Sequence, residues 1–289
     1  MSLTLEDAQI KYEQHLENDG KAKATITAYT NDVGQMMDYA REQGRVDVSE
    51  ITYEDIVQFK ELLKKRRYTS KSISRKINSV KSFFRFLNKQ GFIDDNPAEE
   101  VAHPKVEPNP PRYLSKVEYR ALRDSCRGDA RIAAIVELLL QTGMRISELA
   151  NLSMEDVDLE RNVLYIKPQK TREGRRIPLN QAAKNSLMDY LKVRPKAKEK
   201  TVFLTKTCNP FLVRNIRASI NRYFRLAGIR DATVNDLRNT FIVEQLKAGT
   251  PLIYVSQLVG HKRITTTEKY LDLLEGNQES TPNVQIEEL

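Results

Sequence analysis

Four prolines fall within the eleven residues AHPKVEPNPPR, positions 102–112. Proline lacks an amide donor, fixes φ and biases the residue before it away from helix, so this stretch can neither carry a helix nor sit inside a sheet. The chain must fold on either side of it. We therefore expect a linker at 102–112 between two domains, residues 1–101 and 113–275, followed by a tail at 276–289. The 289 residues suit two domains of ~150 residues each.

Ahead of the linker, apolar residues recur at helical spacing in four runs: Ala8, Tyr12 and Leu16; Ile26, Tyr29, Val33, Met36 and Ala40; Ile56, Phe59 and Leu63; Ile73, Ile77, Val80, Phe84 and Leu87. Thr4 with Asp7, and Thr52 with Asp55, have the spacing of N-terminal caps, and Gly44 and Gly91 follow helix ends. A four-helix domain is predicted. Its charge is one-sided: residues 60–89 hold eleven Lys or Arg against the single acid Glu61, more excess charge than the +8 of the whole chain. An excess without alternating signs points to a polyanionic partner rather than to a merely solvated face. Arg66, Arg67, Lys71, Arg75, Lys76 and Lys81 are the expected phosphate contacts.

Behind the linker, helices are expected over 115–125, 129–141, 146–151, 180–193, 211–227, 236–248, 251–259 and 265–274. Two short strands, NVLYIKP at 162–168 and RRIPL at 175–179, flank a turn at Glu173-Gly174. The fold class is thus mainly α, a helical N-terminal domain followed by a mixed, mostly helical domain with a small antiparallel sheet. Within 211–229, Leu212, Ile216, Ile220 and Phe224 form an apolar stripe, and Arg214, Arg217, Arg222 and Arg225 lie elsewhere on the helix, placed to reach base edges in a major groove. The tail GNQESTPNVQIEEL is polar and acidic and reads as flexible.

Composition and missing motifs remove several function classes. No apolar run nears the ~20 residues that span a bilayer. The start MSLTLEDAQIKYEQ lacks a secretory pattern, so a cytoplasmic protein without a membrane partner is expected. Cys126 and Cys208 have no C-x-x-C spacing, the three histidines are scattered, and H-E-x-x-H, G-x-x-x-x-G-K-[ST] and G-x-G-x-x-G do not occur. Nothing in the sequence supports a zinc hydrolase, a P-loop ATPase or a dinucleotide enzyme, and no metal site is expected.

Four segments of the second domain make sense only together. TGMRISEL places Arg145 after a glycine turn at a helix opening, with Glu148 three residues on along the same face. Lys170 lies in the loop between the two strands, NDLR spans 235–238, and LVGH ends at His261, nine residues before Tyr270. Their order and spacing resemble the tyrosine recombinase (phage integrase) family. TGMRISEL resembles its first arginine box, Lys170 its strand-loop-strand lysine, NDLRNTF its H-x-x-R box, and LVGH with Tyr270 its L-G-H…Y ending. The likeness spans essentially the whole chain, because the basic, helical N-terminal half is similar to the family's core-binding domain. About 100 residues ahead of the linker leave no room for the arm-binding domain of larger phage integrases, which implies a compact Xer-like or mobile-element recombinase.

The resemblance implies a site-specific recombinase that cleaves and rejoins DNA strands through a 3′-phosphotyrosine intermediate, with no cofactor. The residue types suit that chemistry. A tyrosine ester keeps the energy of the phosphate bond for reattack by a DNA hydroxyl, and Tyr270 is the candidate nucleophile. Arg145 and Arg238 offer planar donor pairs to the non-bridging oxygens. By resemblance Lys170 is the general acid for the leaving 5′ oxygen and His261 a hydrogen-bond partner of the phosphate. Glu148 orients a neighbouring basic group, since a carboxylate touching the phosphate would be repelled.

One position departs from the family pattern. The second box usually begins with His, sometimes Lys, and here begins with Asn235, which can donate a hydrogen bond but cannot exchange a proton near pH 7. An active enzyme with altered kinetics is expected. The implied partners are double-stranded DNA with specific recombination sites and a homo-tetramer on the synapsed DNA, with room for an accessory protein. The alternative is a catalytically inactive DNA-binding protein of the same fold, architectural or regulatory, with Asn235 as its mark.

Overall fold

The computed structural model describes residues 3–107, 110–168 and 173–275. Lys170 and the tail at 276–289 therefore lie outside the described residues. The chain separates into two compact units, Met1–Pro108 and Asn109–Leu289, a division that falls inside the proline-rich segment.

The first unit has the four expected helices, α1 (Leu5–Asn18), α2 (Lys23–Glu42), α3 (Tyr53–Lys65) and α4 (Ser70–Lys89). Thr4 accepts from the Asp7 amide at 3.1 Å. Thr52 and Asp55 cap α3 reciprocally, the Thr52 amide donating to Asp55 at 2.9 Å and the Asp55 amide to Thr52 at 3.2 Å. Tyr12, Met36, Phe59, Ile77, Phe83 and Phe84 are fully buried between these helices, and each large side chain removed from water stabilises the bundle by roughly 1.5–3 kcal/mol.

A buried carboxylate in this bundle bears on one expected phosphate contact. Asp32 of α2 is 1% exposed and receives Arg75, Lys76 at 3.0 Å and Ser79 at 2.9 Å, all from α4. Lys76 is itself buried, and its ammonium also donates to Gln35 at 2.8 Å. An unpaired charge there would be too costly to desolvate, so Lys76 neutralises Asp32, a placement that argues against a phosphate contact. The run of basic residues hid this because Asp32 lies 44 positions earlier. Arg75 also forks onto Asp32, yet its side chain stays 49% exposed.

The second unit is built around α6 (Ala130–Thr142), whose Ile132, Ile135, Leu138 and Leu139 are buried against α5 (Lys116–Cys126), α8 (Gln181–Val193) and α10 (Val234–Lys247). Around this core lie α7 (Ile146–Ala150), α9 (Val213–Leu226) and α11 (Leu252–Val259). The sheet is antiparallel in the order β1 (Val157–Asp158), β2 (Val163–Ile166), β3 (Arg175–Pro178). Leu164 pairs with Ile177 and Ile166 with Arg175, so Arg175 shares the inward face with three apolar residues, whereas Arg176 pairs with Tyr165 on the other face.

Three differences from the expected elements have local causes. Helix α10 begins at Val234, because Asp236 accepts from the Thr233 amide at 2.7 Å and makes Thr233 the cap. The two-residue strand β1 is too short to show an alternating pattern. The helix expected over 265–274 is two single-turn pieces, α12 (Thr265–Glu268) and α13 (Asp272–Glu275), with Tyr270 in the turn between them. A run of three β-branched threonines with no side-chain cap gives little support for a longer helix.

Candidate active site

Helix α11 ends at Gly260 in the left-handed conformation, φ +68°. Its last carbonyls have no helical donors, and the helix dipole makes this end negative. Three guanidiniums converge on it. Arg175 donates through Nε to Leu258 O at 2.6 Å, Arg145 to Val259 O at 3.2 Å and Gly260 O at 2.6 Å, and Arg238 to Val259 O at 2.8 Å. Glycine at 260 serves twice, tolerating the positive φ and leaving room for Arg175, whose Nη1 would lie 2.9 Å from an added Cβ. Gly143 plays a parallel part: at φ +59° its carbonyl accepts from Arg238, and a Cβ there would meet the Phe241 ring at 2.3 Å.

Glu148 organises two of the arginines. It is 5% exposed and accepts from the Arg145 amide at 2.8 Å, Arg145 Nη1 at 2.9 Å, and Arg175 Nη1 and Nη2 at 2.9 and 2.8 Å. Burial opposes its ionisation, but the Arg175 hydrogen bonds, the Arg145 amide and both positive charges outweigh it and hold the carboxyl at about 2. Arg238 is pushed down to about 9 by burial and then by Arg145, and so stays protonated at neutral pH. Arg145, Arg175 and Arg238 against Glu148 leave a surplus of positive charge at this helix end, ready for an anion.

His261 follows the capping glycine, its amide donating to Ser256 O at 3.0 Å. A 2.8 Å hydrogen bond joins its Nδ1 to the buried Thr267 hydroxyl. Burial, followed by Arg238, Arg145 and Arg175, lowers the imidazole to about 4, so it is neutral at pH 7. Tyr270 comes three residues after Thr267, 8% exposed in a cluster with Phe241, Val255, Leu258 and Val259. Burial raises its phenol pKa, with Arg238 pulling the other way and Asp236 adding to the rise. Its hydroxyl donates to Asn239 at 2.8 Å.

Of the residues singled out from sequence, Arg145, Glu148, Arg238 and His261 thus meet at one helix end, and Tyr270 is tied to it through Thr267. Asn235 is exposed in the first turn of α10, three residues before Arg238. Sequence reading missed Arg175 and Asn239. Arg175 could have been found from the period of two, since it sits on the face of Ile177; Asn239 gave no signal beyond following Arg238. Arg66, Arg67 and Lys71 are exposed, as are Arg214 and Arg217 on α9, while Lys81 is half-buried with its ammonium on Glu99 O at 3.1 Å. Lys71, Arg75, Lys81 and Arg85 line one concave surface with Tyr29 and Asn78. No cluster of three or more His, Cys, Asp or Glu side chains suited to a metal occurs among the described residues, and no helix among them is long and apolar enough to cross a membrane.

Fold and site together define a mainly helical chain whose second unit gathers cationic donors for an oxyanion beside a histidine and a tyrosine hydroxyl. Residues 112–276 match the phage integrase family, and residues 10–91 match the phage integrase N-terminal SAM-like domain. Tyrosine recombinase XerC of Roseiflexus castenholzii is 31% identical over 281 residues, covering 93% of this chain and 88% of the relative. The XerC of Oceanobacillus iheyensis is 30% identical over 258 residues, covering 85% and 84%. Among solved structures, the XerA recombinase is 26% identical over 96% of this chain and 99% of its own, with a TM-score of 0.54. A lambda integrase dimer bound to a COC′ core site shares the fold at a TM-score of 0.79 and 19% identity, covering 98% and 81%. The chain belongs to the phage integrase family, the tyrosine site-specific recombinases.

Proposed function

We propose that this recombinase acts on double-stranded DNA at specific sites and uses Tyr270 as its nucleophile. The phenol oxygen bonds to phosphorus as the bond to the 5′ oxygen breaks, leaving a 3′-phosphotyrosine and a free 5′ hydroxyl. Arg145 and Arg238 hold the non-bridging oxygens, and neutral His261 hydrogen-bonds the same phosphate. Lys170 protonates the leaving oxygen, and the phenol proton passes to solvent because Asn235 cannot take it. Attack by a 5′ hydroxyl from the partner site reverses the step and completes the exchange. The observation that carries this reading is the convergence of Arg145, Arg238 and His261 on the end of α11, with the tyrosine nine residues beyond the histidine.

In this reading residues 1–101 form the core-binding domain, 102–112 the linker, 113–275 the catalytic domain and 276–289 a tail. Arg66, Arg67, Lys71, Arg75 and Lys81 engage the DNA backbone, and Arg214 and Arg217 reach the duplex from α9. Four protomers assemble on the synapsed sites; a lambda integrase tetramer has been solved on a Holliday junction with the same fold, at a TM-score of 0.75. The test is covalent capture: a random-sequence duplex library incubated with the protein, quenched with detergent, and sequenced at the protein-linked ends. Ends that cluster at one motif and vanish with Tyr270→Phe support the proposal. Adducts that persist in that variant would overturn it.

A further inference from the structure

Asn239 stands between Tyr270 and the start of the second unit. Its Oδ1 accepts from the Tyr270 hydroxyl at 2.8 Å, while its Nδ2 donates to Arg112 O at 2.7 Å and reaches Asp236 Oδ1 at 3.4 Å. These neighbours settle the orientation of the amide. Turning it over would set its oxygen against a carbonyl and a carboxylate and leave the phenol facing an NH₂ group. Tyr270 is therefore the donor in this bond, and a donor must carry its proton.

An amide that accepts from a phenol favours the neutral form over the phenolate. It also cannot take up the proton that nucleophilic attack releases. The position seen here is thus one of storage. The segment that carries the tyrosine is made for release, since α12 and α13 are four residues each, joined by short i to i−3 hydrogen bonds such as Tyr270 N to Thr267 O at 3.0 Å and Leu273 N to Tyr270 O at 3.2 Å. Single turns resist opening far less than the longer helices on which they pack.

We propose that Asn239 is a latch on the nucleophile, holding Tyr270 as a buried, protonated phenol in the DNA-free protomer until the bond between them breaks. The proposal rests on Tyr270 being the nucleophile, and its test separates the two claims. Hydrogen exchange of the segment 264–275 is measured in the full-length protein without DNA, for wild type, Asn239→Leu, Tyr270→Phe and the double variant. One buried hydrogen bond predicts that each single change speeds exchange there roughly threefold to tenfold, and that the double variant adds nothing further. Unchanged exchange, or additive effects, would overturn the latch.

The same proteins are then given the random-sequence duplex library. Asn239→Leu is expected to form covalent adducts faster than wild type. Slower formation, with the exchange coupling intact, would make Asn239 a residue that aids attack and so overturn the latch. Wild-type adducts that survive Tyr270→Phe would instead remove the nucleophile assignment, and the latch with it. If Asn239→Leu fails to fold, Asn239→Ser shortens the side chain away from the phenol and takes its place.

Discussion

Glu148 and His261 are the side chains whose ionisation the site perturbs most informatively. Glu148 accepts four hydrogen bonds from Arg145 and Arg175. Its folded pKa of about 2 lies below the ordinary 4.5, so its ionised form stabilises the fold fully above the unfolded value and that contribution is lost as pH falls through about 2. The shift corresponds to at most about 3 kcal/mol. Glu148→Gln is expected to be less stable at neutral pH and to show a flatter acid limb in denaturant unfolding between pH 4.5 and 2; parallel limbs would contradict the assignment. His261 is also depressed, to about 4, so the fold loses stability as pH drops from 6.5 towards 4 and the unfolded chain takes up the proton first. In ¹³C-detected histidine titrations His261 should move near pH 4 in the free protein and higher with bound DNA, whose phosphate favours the imidazolium. A free-protein midpoint at the ordinary 6.5 would count against the buried, arginine-ringed placement. Four of these polar residues were legible because each stood in a short box of fixed spacing. Asn239 was not, because its role depends on Tyr270, 31 positions away, and for Arg175 the strand period gives the inward face but not the pairing with Glu148, 27 positions earlier.

At the level of elements, the end of α11 holds the site together, and two glycines make the close approaches possible. Gly143→Ala at φ +59° drives a methyl into the Phe241 ring, a closer clash than the 2.9 Å at which Gly260→Ala meets the Arg175 guanidinium, which Glu148 and Leu258 O hold in place. Left-handed strain costs each variant roughly 1–2 kcal/mol, and overpacking adds roughly 1–3 kcal/mol, more for the first. Thermal unfolding should place Gly143→Ala below Gly260→Ala, with both below wild type; the reverse order would contradict this account. Most helices were readable from apolar periodicity, and Thr52 with Asp55 fixed one start to the residue. The split of 265–274 was not readable, because TTTEKYLDLL carries no proline or glycine to mark a break, and the tie from Thr267 to His261 is made by the tertiary fold.

Across the whole molecule, the basic face of the first unit distinguishes surface charge from buried charge. Lys71 is exposed and Lys76 is buried on Asp32. If Lys71 contacts phosphate, Lys71→Ala should lower the slope of log affinity against log salt by about one. Lys76→Met should leave that slope unchanged and destabilise the bundle by less than the roughly 3–5 kcal/mol of an orphaned buried charge, because Arg75 and Ser79 still hold Asp32. Equal slope losses would show that Lys76 reaches DNA after all. Composition announced the polyanion partner but could not tell these two lysines apart, because the difference is made by Asp32 on another helix.

In the proposed reaction Tyr270 carries the broken strand. Covalent protein–DNA adducts formed with the wild-type chain would be digested with nuclease and protease and the linked peptide sequenced by mass spectrometry. A deoxynucleotide phosphate on the Tyr270 phenol is the predicted result, and its presence on any other side chain would contradict the account.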